Sequence, residues 1–174
     1  ALRRARQAVE VISQGAKASQ IGQIAKSTST QEVSLTATTG SGTIKVGNAA
    51  AVTIGASTQG VQAGQTLGSA YSKAQAINAA NVPGLTVTAT NNVELNVANA
   101  VISDTTNYSL TLNGVSLFNT TASGTVTVTQ QQITDAVNAA TSTTGVTAQL
   151  SGGKLLLSAA DGRDIIIGQT GAGT

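Results

Sequence analysis

Between Ala1 and about Lys26 the apolar positions Leu2, Ala5, Val9, Ile12 and Ala16 are spaced 3, 4, 3 and 4 apart, which places them on one seam of a helix. Arg3, Arg4, Arg6, Gln7, Glu10 and Gln14 cover the rest of that surface. Such a helix is marginal alone in water, so the five seam residues are expected to form a helix-packing interface with a partner. Gly15 and Gly22 weaken its second half, and Ser27-Thr28-Ser29-Thr30-Gln31 reads as a linker. Beyond Glu32 the period changes to two. Val33 to Thr38, Thr43 to Val46 and Ala51 to Ile54 alternate apolar with polar residues between glycines, as short antiparallel strands do. A helix is predicted over about Ser69 to Val82, with Ala70, Ala74, Ile77 and Ala80 on one face, stopped by Pro83-Gly84. Leu85 to Ala89 and Val93 to Val97 then predict a hairpin turned at Asn91-Asn92.

The second half repeats this order. Tyr108 to Leu112, the turn Asn113-Gly114 and Val115 to Phe118 predict a hairpin. A strand over Thr125 to Thr129 leads into a helix from about Gln130 to Ala140, with Ile133, Ala136 and Val137 on its apolar face. Gly145 to Leu150 turns through Ser151-Gly152-Gly153 into Lys154 to Ser158, and a last strand is expected through Ile165-Ile166-Ile167. Side by side, Ala76-Ile77-Asn78-Ala79-Ala80 matches Ala136-Val137-Asn138-Ala139-Ala140 at an offset of 60. Gly84-Leu85-Thr86-Val87 matches Gly145-Val146-Thr147-Ala148 at 61. A period this long exceeds that of solenoids, and each copy carries a helix to cover its own strands. The expected fold class is therefore α+β and β-rich: a helical stub and linker over 1–31, then two tandem units over 32–104 and 105–174.

Composition narrows the chemistry. Of 174 residues, 28 are Ala, 19 Gly, 16 Ser and 27 Thr, with no Cys, Met, Trp or His. Without His or Cys there is no Ser-His-Asp or Cys-His nucleophile, no imidazole base, no zinc site of the usual ligand set and no disulfide. Only Tyr71, Tyr108 and Phe118 are aromatic, so the core has to be built from aliphatic side chains and alanine. The net charge of +2 is concentrated at one end: Ala1 to Lys26 holds five bases against Glu10, whereas Ser27 to Thr174 holds four bases against six acids. That body lacks the basic, aromatic-interleaved stripe of a nucleic-acid interface. No apolar run approaches the ~18 residues of a membrane span, and no secretory signal opens the chain. Lacking an initiating Met, Ala1 is expected to be a processed end or, preferably, an internal cut in a longer protein.

Few residues invite a catalytic or ligand-binding reading. Asp161-Gly162-Arg163-Asp164 offers carboxylates to a cation, but Asp-Gly is also tight-turn chemistry, Arg163 neutralises one acid, and a calcium loop's full acidic set is missing. Asp135 and Glu94 could serve as a glycosidase pair, but no aromatic platform accompanies them; Asp135 is expected in the first turn of its helix and Glu94 facing water. Gly40-Ser41-Gly42 lies between two strands with no helix to hold a phosphate, and reads as a turn. The alanines Ala76, Ala79, Ala136 and Ala139 are expected to let their helices lie close on their own strands. No cofactor and no metal is expected.

The unit of A-[IV]-N-A-A, a turn, G-[VL]-T-[AV] and a Gly- or Asn-tipped hairpin resembles the repeat in the variable outer region of bacterial flagellins. The second copy matches better, running from Leu110-Thr111-Leu112-Asn113-Gly114 through Ile133 to Ala140 and Gly145 to Ala148 as far as Leu155 to Gly162. In the first, Pro83 stands in the turn and Ala160-Asp161-Gly162 has no counterpart. The resemblance covers about Gly42 to Gly168, and the motif also occurs in hook-associated and cap proteins of the flagellum. It implies an extracellular filament subunit that self-assembles into a helical homopolymer, with hook-associated proteins and an export chaperone as further partners. Nucleic acid and membrane are not expected as partners. The alternative readings are an extracellular adhesin or polysaccharide-binding surface protein, or a hook-associated or cap protein. Asn107-Tyr108-Ser109 and Asn119-Thr120-Thr121 fit the N-glycosylation pattern, but the resemblance implies Ser/Thr modification, for which the chain has 43 candidates.

Overall fold

Two ten-residue helices carry the clearest local signals. The side chain of Ser69 accepts from the Ser72 amide at 3.2 Å and starts α1, Ala70–Ala79. Thr129 and Gln132 form a reciprocal capping box at the start of α2, Gln130–Ala139, through bonds of 3.2 and 2.8 Å, worth about 1 kcal/mol. A short further helix, α3 (Thr141–Thr144), was not expected from the sequence; it ends at Gly145, whose φ of 68° is left-handed. These elements come from a computed structural model that describes residues 33–103 and 107–171. The seam Leu2, Ala5, Val9, Ile12 and Ala16 lies outside the described residues.

The strands are short and antiparallel. β1 (Thr43–Ile44) pairs with β2 (Val52–Thr53), and β4 (Ala100–Ile102) with β7 (Val126–Val128). β5 (Asn107–Leu112) and β6 (Val115–Thr121) form the hairpin expected at Asn113-Gly114, where φ values of 50° and 79° suit a two-residue primed turn. β10 (Ile167–Thr170) lies on the other side of β5, giving the order β10-β5-β6. A second three-stranded sheet has the order β3-β9-β8, from Asn91–Asn96, Lys154–Ala159 and Thr147–Ser151. Alternation works as the period-two pattern requires: Tyr108, Leu110 and Leu112 of β5 and Leu155, Leu157 and Ala159 of β9 are buried in one core with Ile102, Val128, Ile133, Val137 and Val146. Ile54, Ala76 and Val82 form a smaller cluster under α1. The architecture is the expected β-rich α+β class.

Several local expectations are corrected. Leu85 to Ala89 is not a strand and pairs with no neighbour; its Val87 is held by Asn78 of α1, the Val87 amide donating to Asn78 Oδ1 at 2.9 Å and Asn78 Nδ2 donating to the Val87 carbonyl at 2.8 Å. Asn91-Asn92, expected as a turn, opens β3 and pairs with Ala159 and Ser158. Val33 to Thr38 is not a strand either. The amides of Thr38 and Ser57 are bound by each other's hydroxyls, leaving an isolated bridge at Thr39 and Ala56. The last strand starts two residues late because the Ile166 amide donates to Asn113 Oδ1 and its carbonyl accepts from the Asn113 amide, both at 2.8 Å.

The repeat is visible in three dimensions. Caps Ser69 and Thr129, helices 70–79 and 130–139, and Asn78 and Asn138 are each 60 residues apart; the left-handed glycines Gly84 and Gly145 are 61 apart. Asn138 holds Ala148 as Asn78 holds Val87, donating to its carbonyl at 2.9 Å and accepting from its amide at 2.8 Å. The copies diverge in their strands. β3 and β4 lie before residue 104 in sequence and pair with β9 and β7 beyond it, and Val33–Thr174 forms one compact unit.

Candidate functional site

Gly162, with φ of 77°, turns the chain so that Asp161 and Arg163 lie side by side. The turn expected from Asp-Gly is therefore present, and Arg163 does neutralise an acid. Arg163 is buried, and its donors are widely engaged. Nε donates to both oxygens of Asp161 at 3.0 and 3.1 Å, and Nη2 to Asp161 Oδ2 at 2.8 Å and to Gln62 Oε1 at 2.7 Å. Nη1 reaches the carbonyls of Ala63 at 3.2 Å and Thr144 at 3.0 Å. A planar fork of five donors suits this task, which a lysine could not perform.

The surrounding chain is shaped to receive the guanidinium. A Cβ on Gly145 would lie 2.1 Å from its central carbon, so both the left-handed backbone and the close approach call for glycine there. The segment 60–66 packs over the turn through further bonds. Gln65 Nε2 donates to Asp161 Oδ2 at 3.2 Å, the Asp164 amide to the Gly64 carbonyl at 2.8 Å, and the Thr66 hydroxyl to Asp164. Desolvation acts to raise the Asp161 carboxyl. Hydrogen bonds from Arg163 and Gln65, with the Arg163 amide and charge, outweigh it and hold the group below its ordinary value.

This arrangement is a fastening. Both Asp161 oxygens accept from protein donors. The other described carboxylates are also engaged: Glu94 is ion-paired with Lys154, and Asp135 accepts from Gln131 Nε2 at 2.8 Å. Glu94 is exposed, as expected. Asp135 is corrected: it is the sixth residue of α2, beyond the first turn, and is held by an i, i+4 amide contact rather than by the helix dipole. Among the described residues no group of three or more acidic side chains could hold a metal ion.

Gly40-Ser41-Gly42 lies in the approach to β1, with the Gly42 carbonyl accepting from the Ile54 amide. Of the four alanines, Ala76 is buried and Ala136 half-buried, while Ala79 and Ala139 are exposed. Those two are corrected: each is the last residue of its helix, turned to solvent while Ile77 and Val137 face the packed side. The roles of Asn78 and Asn138 were missed, although their signal was present as one amide inside an otherwise apolar pentapeptide used twice. Gln62, Ala63 and Gln65 gave no such signal. Among the described residues no helix is long and apolar enough to cross a membrane. No protein-family model matches the chain, and no curated protein matches it.

Proposed function

We propose that the chain is the outer, surface-exposed region of a flagellin-like filament subunit, with a structural role in an extracellular homopolymer. The observation that carries this reading is the twice-used unit of capped helix, asparagine clamp and left-handed glycine at offsets of 60 and 61. It is the repeat on which the resemblance to flagellins rests. The engagement of every described carboxylate by a neighbouring donor supports a mechanical role over a catalytic one. In this reading Leu2, Ala5, Val9, Ile12 and Ala16 pack against core helices of neighbouring subunits, and the β-rich body projects outward.

The test is negative-stain electron microscopy of the full-length protein after a polymerisation trial, with and without residues 33–171. Long helical filaments that become thinner on deletion are the expected result. Monomers, short rings or caps would overturn the filament reading and favour a hook-associated or adhesive protein.

A further inference from the structure

Between the two three-stranded sheets and α2 lies a cavity of about 380 Å³. β3 and β9 supply Leu95 and Leu157, β5 supplies Tyr108, Leu110 and Leu112, and α2 supplies Ile133. Packed interiors leave few voids larger than one water; this one has the volume of about a dozen waters at ~30 Å³ each and falls within the range of small-molecule sites. Exposed Asn96, Asn99 and Gln169 also line it and mark its open side. The inner wall is mainly aliphatic, so water there finds fewer partners than at the polar rim. No charged side chain among the described residues lines the cavity, so an ionised guest would lose its hydration without compensation.

Tyr108 adds a direction to this apolar space. It is 1% exposed and lines the cavity. Its ring lies 6.3 Å from that of Phe118, tilted by 47°, which helps to hold it in place. Burial raises its pKa, so the group stays a neutral donor at ordinary pH. Among the described residues no buried side-chain polar atom lacks a partner, so the hydroxyl is open to solvent, and the acceptor of a guest would take the place of water on it.

We propose that this cavity binds a small, uncharged, mainly hydrocarbon molecule whose single acceptor, a ketone or ester carbonyl, takes the Tyr108 hydroxyl. The site is independent of the filament reading. A methyl-labelled 174-residue chain is titrated by NMR with heptan-2-one and, in parallel, with heptanoate, which has a similar tail but a charge. The ketone is expected to give saturable shifts at Leu110, Leu157 and Ile133, and heptanoate to give none at equal concentration. Tyr108→Phe, which keeps the ring, should weaken the ketone about fivefold, the effect of one hydrogen bond. Ala100→Leu, at another lining position, should weaken binding by taking up part of the space. Absence of saturable ketone shifts, equal binding of heptanoate, or unchanged affinity in Tyr108→Phe would overturn the proposal.

Discussion

Arg163 shows what one side chain can decide in this protein. Its guanidinium accounts for an acid, an amide oxygen and two carbonyls at once, so removing it leaves several acceptors, the buried Thr144 carbonyl among them, without this donor. Arg163→Met is expected to cost about 2 kcal/mol at neutral pH in denaturant unfolding, less than breaking a fully buried ion pair because Asp161 is partly exposed. The pH profile should carry the same signature. In the folded protein Asp161 lies below its ordinary value near 3.8, so its contribution is present above that value and is lost as pH falls through the folded pKa. Without Arg163, desolvation dominates and the carboxyl moves up. The stability gap between wild type and variant should therefore be widest above about pH 4 and close in acid. A gap that does not change with pH would count against this account.

At the scale of elements, the asparagine clamp explains why a helix is followed by a positioned extended segment in both copies. Each clamp satisfies one amide and one carbonyl that would otherwise need a strand partner. Asn138→Ala loses two hydrogen bonds to Ala148 but gains helix propensity, for a net loss of about 1 kcal/mol. Thermal unfolding followed by circular dichroism should show the lowered stability, and hydrogen exchange should show faster exchange at the Ala148 amide than at amides of β9. The same clamp has opposite neighbours in the two copies. Ala148 lies within β8 beside β9, whereas Val87 lies outside any strand and none forms until Asn91. The two helices, the Asn113-Gly114 turn and the β8–β9 hairpin were legible because they depend on residues a few positions apart. The 85–89 strand was misread because alternation does not say whether a partner strand will lie alongside: clamped Ala148 still pairs with Leu157, whereas clamped Val87 has no strand beside it.

Across the whole described unit, the two sequence halves are interleaved. β3 covers β9 with Val93 opposite Leu157 and Leu95 opposite Leu155, while segment 60–66 is fastened to the turn at 161–164. A fragment of 105–174 would leave one edge of β9 unpaired and Leu155 and Leu157 less covered, and would deprive Arg163 of Gln62 and Ala63. Calorimetry of 33–174 should give a single cooperative transition, and the 105–174 fragment should melt at lower temperature or fail to fold. Two separate transitions in the longer piece would mean that each repeat folds by itself.

The sequence by itself determined the periods, and therefore the helices at 70–79 and 130–139, the hairpins at 107–121 and 147–159, the β-rich α+β class, and the offset at which one unit recurs. These follow from side-chain direction along a helix or strand and from turn chemistry, which act over a few residues. Only the tertiary structure decided that β3 belongs with β9, that β4 belongs with β7, and that Arg163 closes on Gln62 from 101 positions away. Alternation marks a strand face as apolar but does not name its partner. Nor does a lone arginine in a turn reveal which distant carbonyls will surround it, because those contacts exist only after the sheets have packed.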